Sequence, residues 1–251
     1  MSFDVSADAY AAFMGRYAEP LADRFVELLD PQPGERALDV GAGTGALVTR
    51  LAQRLGPGAV AAVEPMPAFA EHLRQRVPAV DVRQGHAQEL PFGDGELDLV
   101  TAQLVVNFVP DPVAGLREMR RVARTGGRVA ASVWDHDGGR GPLSPFWAAA
   151  HEVRPDVVDE GTAVGSRRGQ LAELFAGAGL EVVEDTELTV TVHHPDFEEW
   201  WEPYTFGVGP AGEFVRGLPE ADRDEIRRIC RGRLGDGFDL TATAWVVVGR
   251  A

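Results

Sequence analysis

The feature that most constrains this chain is ALDVGAGTGAL, residues 37–47. A short, mostly apolar run from Ala37 to Val40 leads into glycines at 41, 43 and 45, and the helix-forming ALVTRLAQRL follows directly. A buried strand, a glycine turn and a helix in immediate succession make a β–α unit. Glycine at that junction lets the backbone adopt φ > 0 and lets a ligand approach the main chain closely. The helix start behind it presents free N–H groups and the positive end of the helix dipole. The unit implies a parallel sheet, because parallel strands need a crossover connection and a helix is the usual one.

The alternation continues along the chain. AVAAVE (59–64), AVDVRQG (79–85), ELDLVTAQ (96–103) and RVAASVW (128–134) read as strands. Residues 67–76 and 112–124 read as helices, the second opened by Pro112 at a position where a missing N–H costs nothing. Strands separated by helices of about ten residues predict a doubly wound, mainly parallel α/β sheet. SRRGQLAELFAGAGL (166–180) returns to a helix, and 181–192 and 240–249 are long β-rich runs. Ahead of the core, Ala7 to Leu29 has helical apolar spacing, and Pro20 predicts a break or kink there. The expectation is one domain over 1–251. It has a helical cover at 1–30, a core at 31–192 and 239–251, and an aromatic, helical insertion at 193–238 that acts as a lid between the last two strands.

Charge and composition narrow the partners. The chain has 251 residues and a formal charge of −15, a field that repels phosphate backbones and anionic membranes. All 24 basic residues are arginine, which excludes a P-loop lysine, a protein-kinase lysine and a Schiff-base lysine. The single Cys230 rules out an internal disulfide and a cysteine-cluster metal site, and fits a reducing cytoplasm. The acidic MSFDVSADAY start has no apolar signal-peptide core, and no apolar run reaches the ~20 residues of a membrane span. The six histidines have no metal-binding spacing, so no metal is expected.

GAGTGA also fits the dinucleotide pattern G-x-G-x-x-[GA], a weak signal by itself. Asp39 argues against that reading. A carboxylate two residues before Gly41 cannot pair with a pyrophosphate, whereas it suits a cationic or amino-bearing ligand. The sequence here resembles the seven-stranded, class I S-adenosylmethionine-dependent methyltransferases. ALDVGAGTG looks like their first motif, and Glu64 in AAVEPM matches the acidic residue that takes both ribose hydroxyls of the cofactor. GHAQELPF (85–92) looks like the loop against adenine. ELDLVTAQ and RVARTGGRVAASVW resemble the fourth-motif strand and the Gly-Gly turn with the fifth strand. NFVPDP, VWDHDGG and WWEPYTFGVGPAGEFV extend the resemblance to a bacterial, small-molecule "type 11"-like group over nearly the whole chain.

The resemblance implies a seven-stranded sheet with its last strand antiparallel, S-adenosyl-L-methionine as cofactor and a small-molecule acceptor. It places the backbone of Gly41, Ala42 and Gly43 beside the methionine part, with Asp39 orienting the loop or meeting the amino group. Glu64 takes the ribose, Met66 a face of adenine, and Ala87 and Gln88 the other side of the base. Gln103 lines the site by its backbone, and Arg16 on the first helix meets the cofactor carboxylate. His86 stands where the family usually has an aspartate that accepts from the adenine amino group. A neutral imidazole can also accept there, and protonation would remove that capacity.

Methyl transfer chiefly needs alignment of nucleophile, methyl and sulfur and exclusion of water. If the acceptor must lose a proton, His136 is the candidate base, because it follows the fifth strand closely and the cleft should lie beyond the carboxyl ends of the strands. Trp147, Trp200, Trp201 and Tyr204 are the candidate acceptor pocket, since aromatics give large apolar contacts and attract cations; equally they can anchor the lid to the sheet, and the expectation is a mixture, with one of Trp200 and Trp201 buried and the other near the site. Two other readings remain open: a nicotinamide-dependent oxidoreductase, and a non-catalytic protein that binds S-adenosylmethionine.

Overall fold

The computed structural model describes residues 7–251. Seven strands form one sheet: β1 (Ala37–Val40), β2 (Val60–Glu64), β3 (Asp81–Gln84), β4 (Leu97–Gln103), β5 (Ala123–Trp134), β6 (Glu181–His194) and β7 (Phe238–Arg250). Their order is β3-β2-β1-β4-β5-β7-β6. The first five run parallel, and β7 is antiparallel to both neighbours. This is the expected doubly wound sheet with an antiparallel last strand.

Alternation along the strands explains the layers. In β1 and β2, Leu38, Val40, Ala61 and Val63 face one side, where α5 (Pro112–Val122) and α7 (Gln170–Gly177) pack through Leu116, Met119, Leu171 and Phe175. Ala37, Val60 and Ala62 face the other side, against α2 (Arg16–Leu29) and α3 (Ala46–Leu55) through Phe25, Leu29, Leu47 and Leu51. All four residues of β1 are buried, as a central parallel strand covered on both faces requires. Helix α4 (Pro67–Arg76) joins the second layer through Leu73.

The N-terminal segment departs from expectation. It comprises α1 (Ala7–Tyr10), a π turn at Ala11–Gly15 and α2, and Pro20 lies inside α2 rather than at a break. The irregularity is upstream, where the widened turn breaks the regular i→i−4 ladder. Residues 1–6 of the predicted cover lie outside the described residues.

The final strands are longer than their apolar runs. β6 and β7 pair from Glu181 with Arg250 to His194 with Phe238, so both histidines belong to the strand and not to the insertion. The connection between these strands holds α8 (Phe197–Trp201), a 3₁₀ turn (Glu202–Phe206), α9 (Gly209–Gly217) and α10 (Glu220–Leu234). With α6 (Ser144–Val153) and the π turn these helices enclose a third apolar cluster, containing Phe13, Phe146, Trp147, Phe197, Trp200, Trp201 and Tyr204. Among the described residues, no helix is long and apolar enough to cross a membrane.

Candidate active site

The strand order reverses between β1 and β4, and open α/β sheets hold their ligands beyond the carboxyl ends of the strands at such a point. After β1 the chain turns through Gly41 (φ 69°) and Gly43 (φ 55°). A Cβ on Gly41 would lie 2.7 Å from Val105 Cγ2, so only glycine fits there. Gly41 N–H donates to Val63 O at 2.7 Å, which locks the loop to β2. Glu64, last residue of β2 and almost fully buried, completes the lock. Its Oε2 accepts from Gly43 N at 2.8 Å and its Oε1 from Met66 N at 2.9 Å. Burial raises the Glu64 pKa, and those two N–H donors oppose the rise. Each oxygen keeps lone-pair capacity for a further donor.

Asp39 is buried behind this loop. Burial pushes its carboxyl up to about 8, and the nearby Glu64 charge adds to the rise. Thr101 Oγ1, 3.5 Å from Asp39 Oδ1, donates to Leu38 O at 2.9 Å. Gln103 ends β4. Its Nε2 donates to Ala18 O of α2 at 2.9 Å, while its buried Oε1 has no hydrogen-bond partner among the described residues. The sequence assigned Gln103 a backbone role; the structure uses its side chain to tie the cover helix to the sheet.

Asp39, Gly41, Ala42, Gly43 and Gln103 line one cavity of about 350 Å³. A second cavity, of about 510 Å³, adjoins it and is walled by Phe13, Met14, Trp134, His136, Leu143 and Glu160, among others. Tyr10 and Leu104 belong to both walls. Leu104 has φ 61°, an uncommon conformation for a residue with a Cβ, and its N–H donates to Ser132 O at 2.9 Å. His136 is held by a tight turn after β5. Asp135 accepts from Gly138 N at 2.8 Å and from Arg140 Nε at 2.5 Å, and Arg140 also pairs with Glu187. Burial drives the His136 pKa down to about 4.

Several predicted residues lie elsewhere. Arg16 forms an ion pair with Glu199 at 2.5 Å and lines neither cavity. Ala87 faces a hollow under α5 beside Gly115. His86 and Gln88 are exposed on the loop after β3, where His86 bridges to Glu89. Met66 caps α4 beside Glu64. Trp147, Trp200, Trp201 and Tyr204 are buried in the aromatic cluster and none lines the 510 Å³ cavity, because ring-to-ring packing such as Phe146 on Tyr204 at 4.5 Å draws them inward. Trp147 reaches that cavity's wall indirectly through Glu160, and Tyr204 through Phe13, whose ring lies 4.8 Å away. Tyr10, Leu104, Asn107 and Glu160 were not singled out as site residues. The sequence marks Tyr10 by its helical spacing and Asn107 as the start of NFVPDP, and gives no signal for Leu104 or Glu160.

A glycine-cradled cavity holding Asp39, its loop fixed by Glu64, lies beside an apolar cavity at the carboxyl ends of the strands, the ligand position of a Rossmann-like sheet. Comparison with known proteins agrees. The family model described as a methyltransferase domain matches residues 38–131. The nocamycin O-methyltransferase of Saccharothrix syringae is 34% identical over 235 residues, covering 91% of this chain and 73% of that protein. The chain belongs to the class I S-adenosylmethionine-dependent methyltransferases, a family of enzymes. It spans about half the length of several other curated relatives it matches. Among solved structures, geranyl diphosphate C-methyltransferase from Streptomyces coelicolor superposes with a TM-score of 0.54 at 17% identity, covering 92% of this chain and 78% of that one. The [4+2]-cyclase SpnF superposes with a TM-score of 0.58 at 20% identity, covering 92% and 80%. At these identities the likeness is one of fold.

Proposed function

We propose that this protein transfers a methyl group from S-adenosyl-L-methionine to a small, largely apolar molecule. The observation that carries the reading is the pair of adjoining cavities at the strand ends, one polar and glycine-cradled, one apolar, sharing Tyr10 and Leu104. The residues present fit the cofactor. Gln103 Oε1 is a buried acceptor in need of a donor, Asp39 lines the same cavity, and both suit an ammonium group. Glu64 has the lone pairs for a ribose diol, with Met66 beside it for the base. His86, Ala87 and Gln88 remain candidates only for the outer edge of the adenine.

S-adenosylmethionine supplies an electrophilic methyl on a sulfonium. The chain's part is to hold both reactants in line and keep water out, and the helices on either side of Tyr10 serve that end. We place the 195–237 connection as a lid over the acceptor cavity, because Val208, Gly209 and Pro210 contribute to its wall. A cytoplasmic setting is supported by the lone, buried Cys230.

Isothermal calorimetry with S-adenosylhomocysteine, with nicotinamide dinucleotides run in parallel, tests the cofactor assignment. Binding of the first and not of the second is expected. A folded protein that binds neither would overturn it. Because a cyclase shares this fold, turnover needs its own test: labelled methyl incorporation across a library of apolar metabolites.

A further inference from the structure

The apolar cavity carries few polar groups, and one of them is a carboxyl with no cation beside it. Glu160 opens the 3₁₀ turn Glu160–Thr162, whose start Asp159 fixes by accepting from Gly161 N at 2.8 Å. The Trp147 indole N–H donates to Glu160 Oε2 and pins the carboxyl in the cavity wall. Among the described residues no arginine pairs with Glu160, and Oε1 meets no protein donor. Glu160 is half-buried, so its carboxyl borders both the apolar wall and the open cavity, where a ligand can reach it without meeting a competing cation. The same wall holds Trp134, whose indole N–H is buried away from open space and has no partner among the described residues. The cavity therefore offers one acceptor that a ligand can use, Glu160 Oε1.

We propose that Glu160 takes the proton of a hydroxyl on the methyl acceptor, and that this acceptor is an uncharged, largely apolar phenol or enol. The inference rests on the methyltransferase reading. The hydroxyl O–H bond breaks and its proton goes to Glu160 Oε1. The oxygen's electron pair forms the new O–CH₃ bond with the methyl of S-adenosylmethionine, and the S–CH₃ bond breaks with its electrons remaining on sulfur. One carboxylate and one sulfonium charge are both neutralised.

Glu160 suits proton removal better than His136. Burial pushes the Glu160 carboxyl up to about 7, whereas His136 is driven down to about 4 and is the weaker base. The titratable groups around Glu160 are Asp159 beside it, His136 and Tyr10 in the same cavity wall, and Tyr204, whose own pKa Glu160 helps to raise. His151 is engaged with Asp159 at 2.9 Å.

The test uses 2-naphthol and its capped analogue 2-methoxynaphthalene, titrated calorimetrically into the full chain with and without S-adenosylhomocysteine. Hydrogen bonds to a charged group imply a preference for the naphthol of about ten-fold or more at pH 8. That preference should fall to about two-fold at pH 5.5, where Glu160 is protonated, and in Glu160→Gln it should be about two-fold at both pH values. A wild-type preference that does not change with pH, a Glu160→Gln variant that keeps the ten-fold preference, or no binding of either compound would overturn the proposal. If the variant fails to fold, the wild-type pH comparison decides. S-adenosylhomocysteine binding without naphthol discrimination rejects the Glu160 role alone, and loss of S-adenosylhomocysteine binding rejects the wider reading.

Discussion

At the residue scale, two carboxyls beside the glycine loop have different tasks. Asp39 titrates at about 8 in the folded chain and near ~3.9 when unfolded. Between those values the folded state holds a proton that the unfolded state has released, so its contribution to stability is complete below pH ~4 and is lost as pH rises toward 8. Asp39→Asn should flatten that decline. Urea melts at pH 5 and pH 8 should show the variant gaining at least ~1–2 kcal/mol on the wild type across the interval. An ammonium group bound beside Asp39 would force its ionisation, so S-adenosylhomocysteine binding at pH 7 should release a proton and tighten from pH 6 to pH 8. Calorimetry in buffers of different ionisation enthalpy reads this directly, and no proton release would place the amino group elsewhere. Glu64→Ala should weaken S-adenosylhomocysteine by roughly ten- to a hundred-fold through the lost ribose acceptors. It should also lower ligand-free stability by about 2 kcal/mol, because Glu64 holds Gly43 and Met66 by their N–H groups.

At the scale of elements, the cover helix is tied to the last strands by a buried polar cluster. His194 at the end of β6 is fully buried; its Nε2 lies 2.9 Å from Tyr17 Oη of α2 and its Nδ1 2.8 Å from Glu199 Oε2 of α8. A proton on Nδ1 serves the Glu199 carboxylate and leaves Nε2 to accept from Tyr17. Arg16, 3.1 Å from the same Nδ1, closes the cluster through Glu199 instead. Tyr17→Phe strands a buried imidazole nitrogen and should cost about 1–3 kcal/mol in denaturant melts. Burial lowers the His194 pKa, so the neutral ring's contribution is present above the unfolded pKa of ~6.5 and is lost as pH falls through the lower folded value. His194→Gln should remove that part of the acid sensitivity, and an unchanged pH–stability curve would show that the cluster does not couple to protonation.

At the scale of the whole molecule, ligand binding and folding are linked. A cofactor that bridges the β1 and β2 loops under the cover stabilises the native state by about 2.7 kcal/mol at a hundred times its dissociation constant. For a chain of this length that corresponds to a rise in Tm of roughly 5–10 °C. Differential scanning fluorimetry with S-adenosylhomocysteine should show the rise and nicotinamide dinucleotides should not.

The strand–glycine–helix order was legible in the sequence because it rests on local causes. Apolar runs set the buried strands, and α3 and α4 fall on 46–55 and 67–76, the residues their spacing assigns. Gly41 could be placed for the same reason, since a backbone turn is determined by neighbours in the chain; Glu64 could be placed at a strand end, while its role toward a ribose came only from the resemblance. What lies opposite a side chain is not local. Arg16 reads as a free cation until Glu199, far along the chain, is brought against it. The tryptophans and Tyr204 read as a pocket, yet mutual packing of large rings against Phe146 is the better way to remove their area from water. Glu160 has no sequence signal, because an acid in the polar run DEGT is ordinary. Only the tertiary packing that sets it in an apolar wall beside Trp134 and His136 gives it a task.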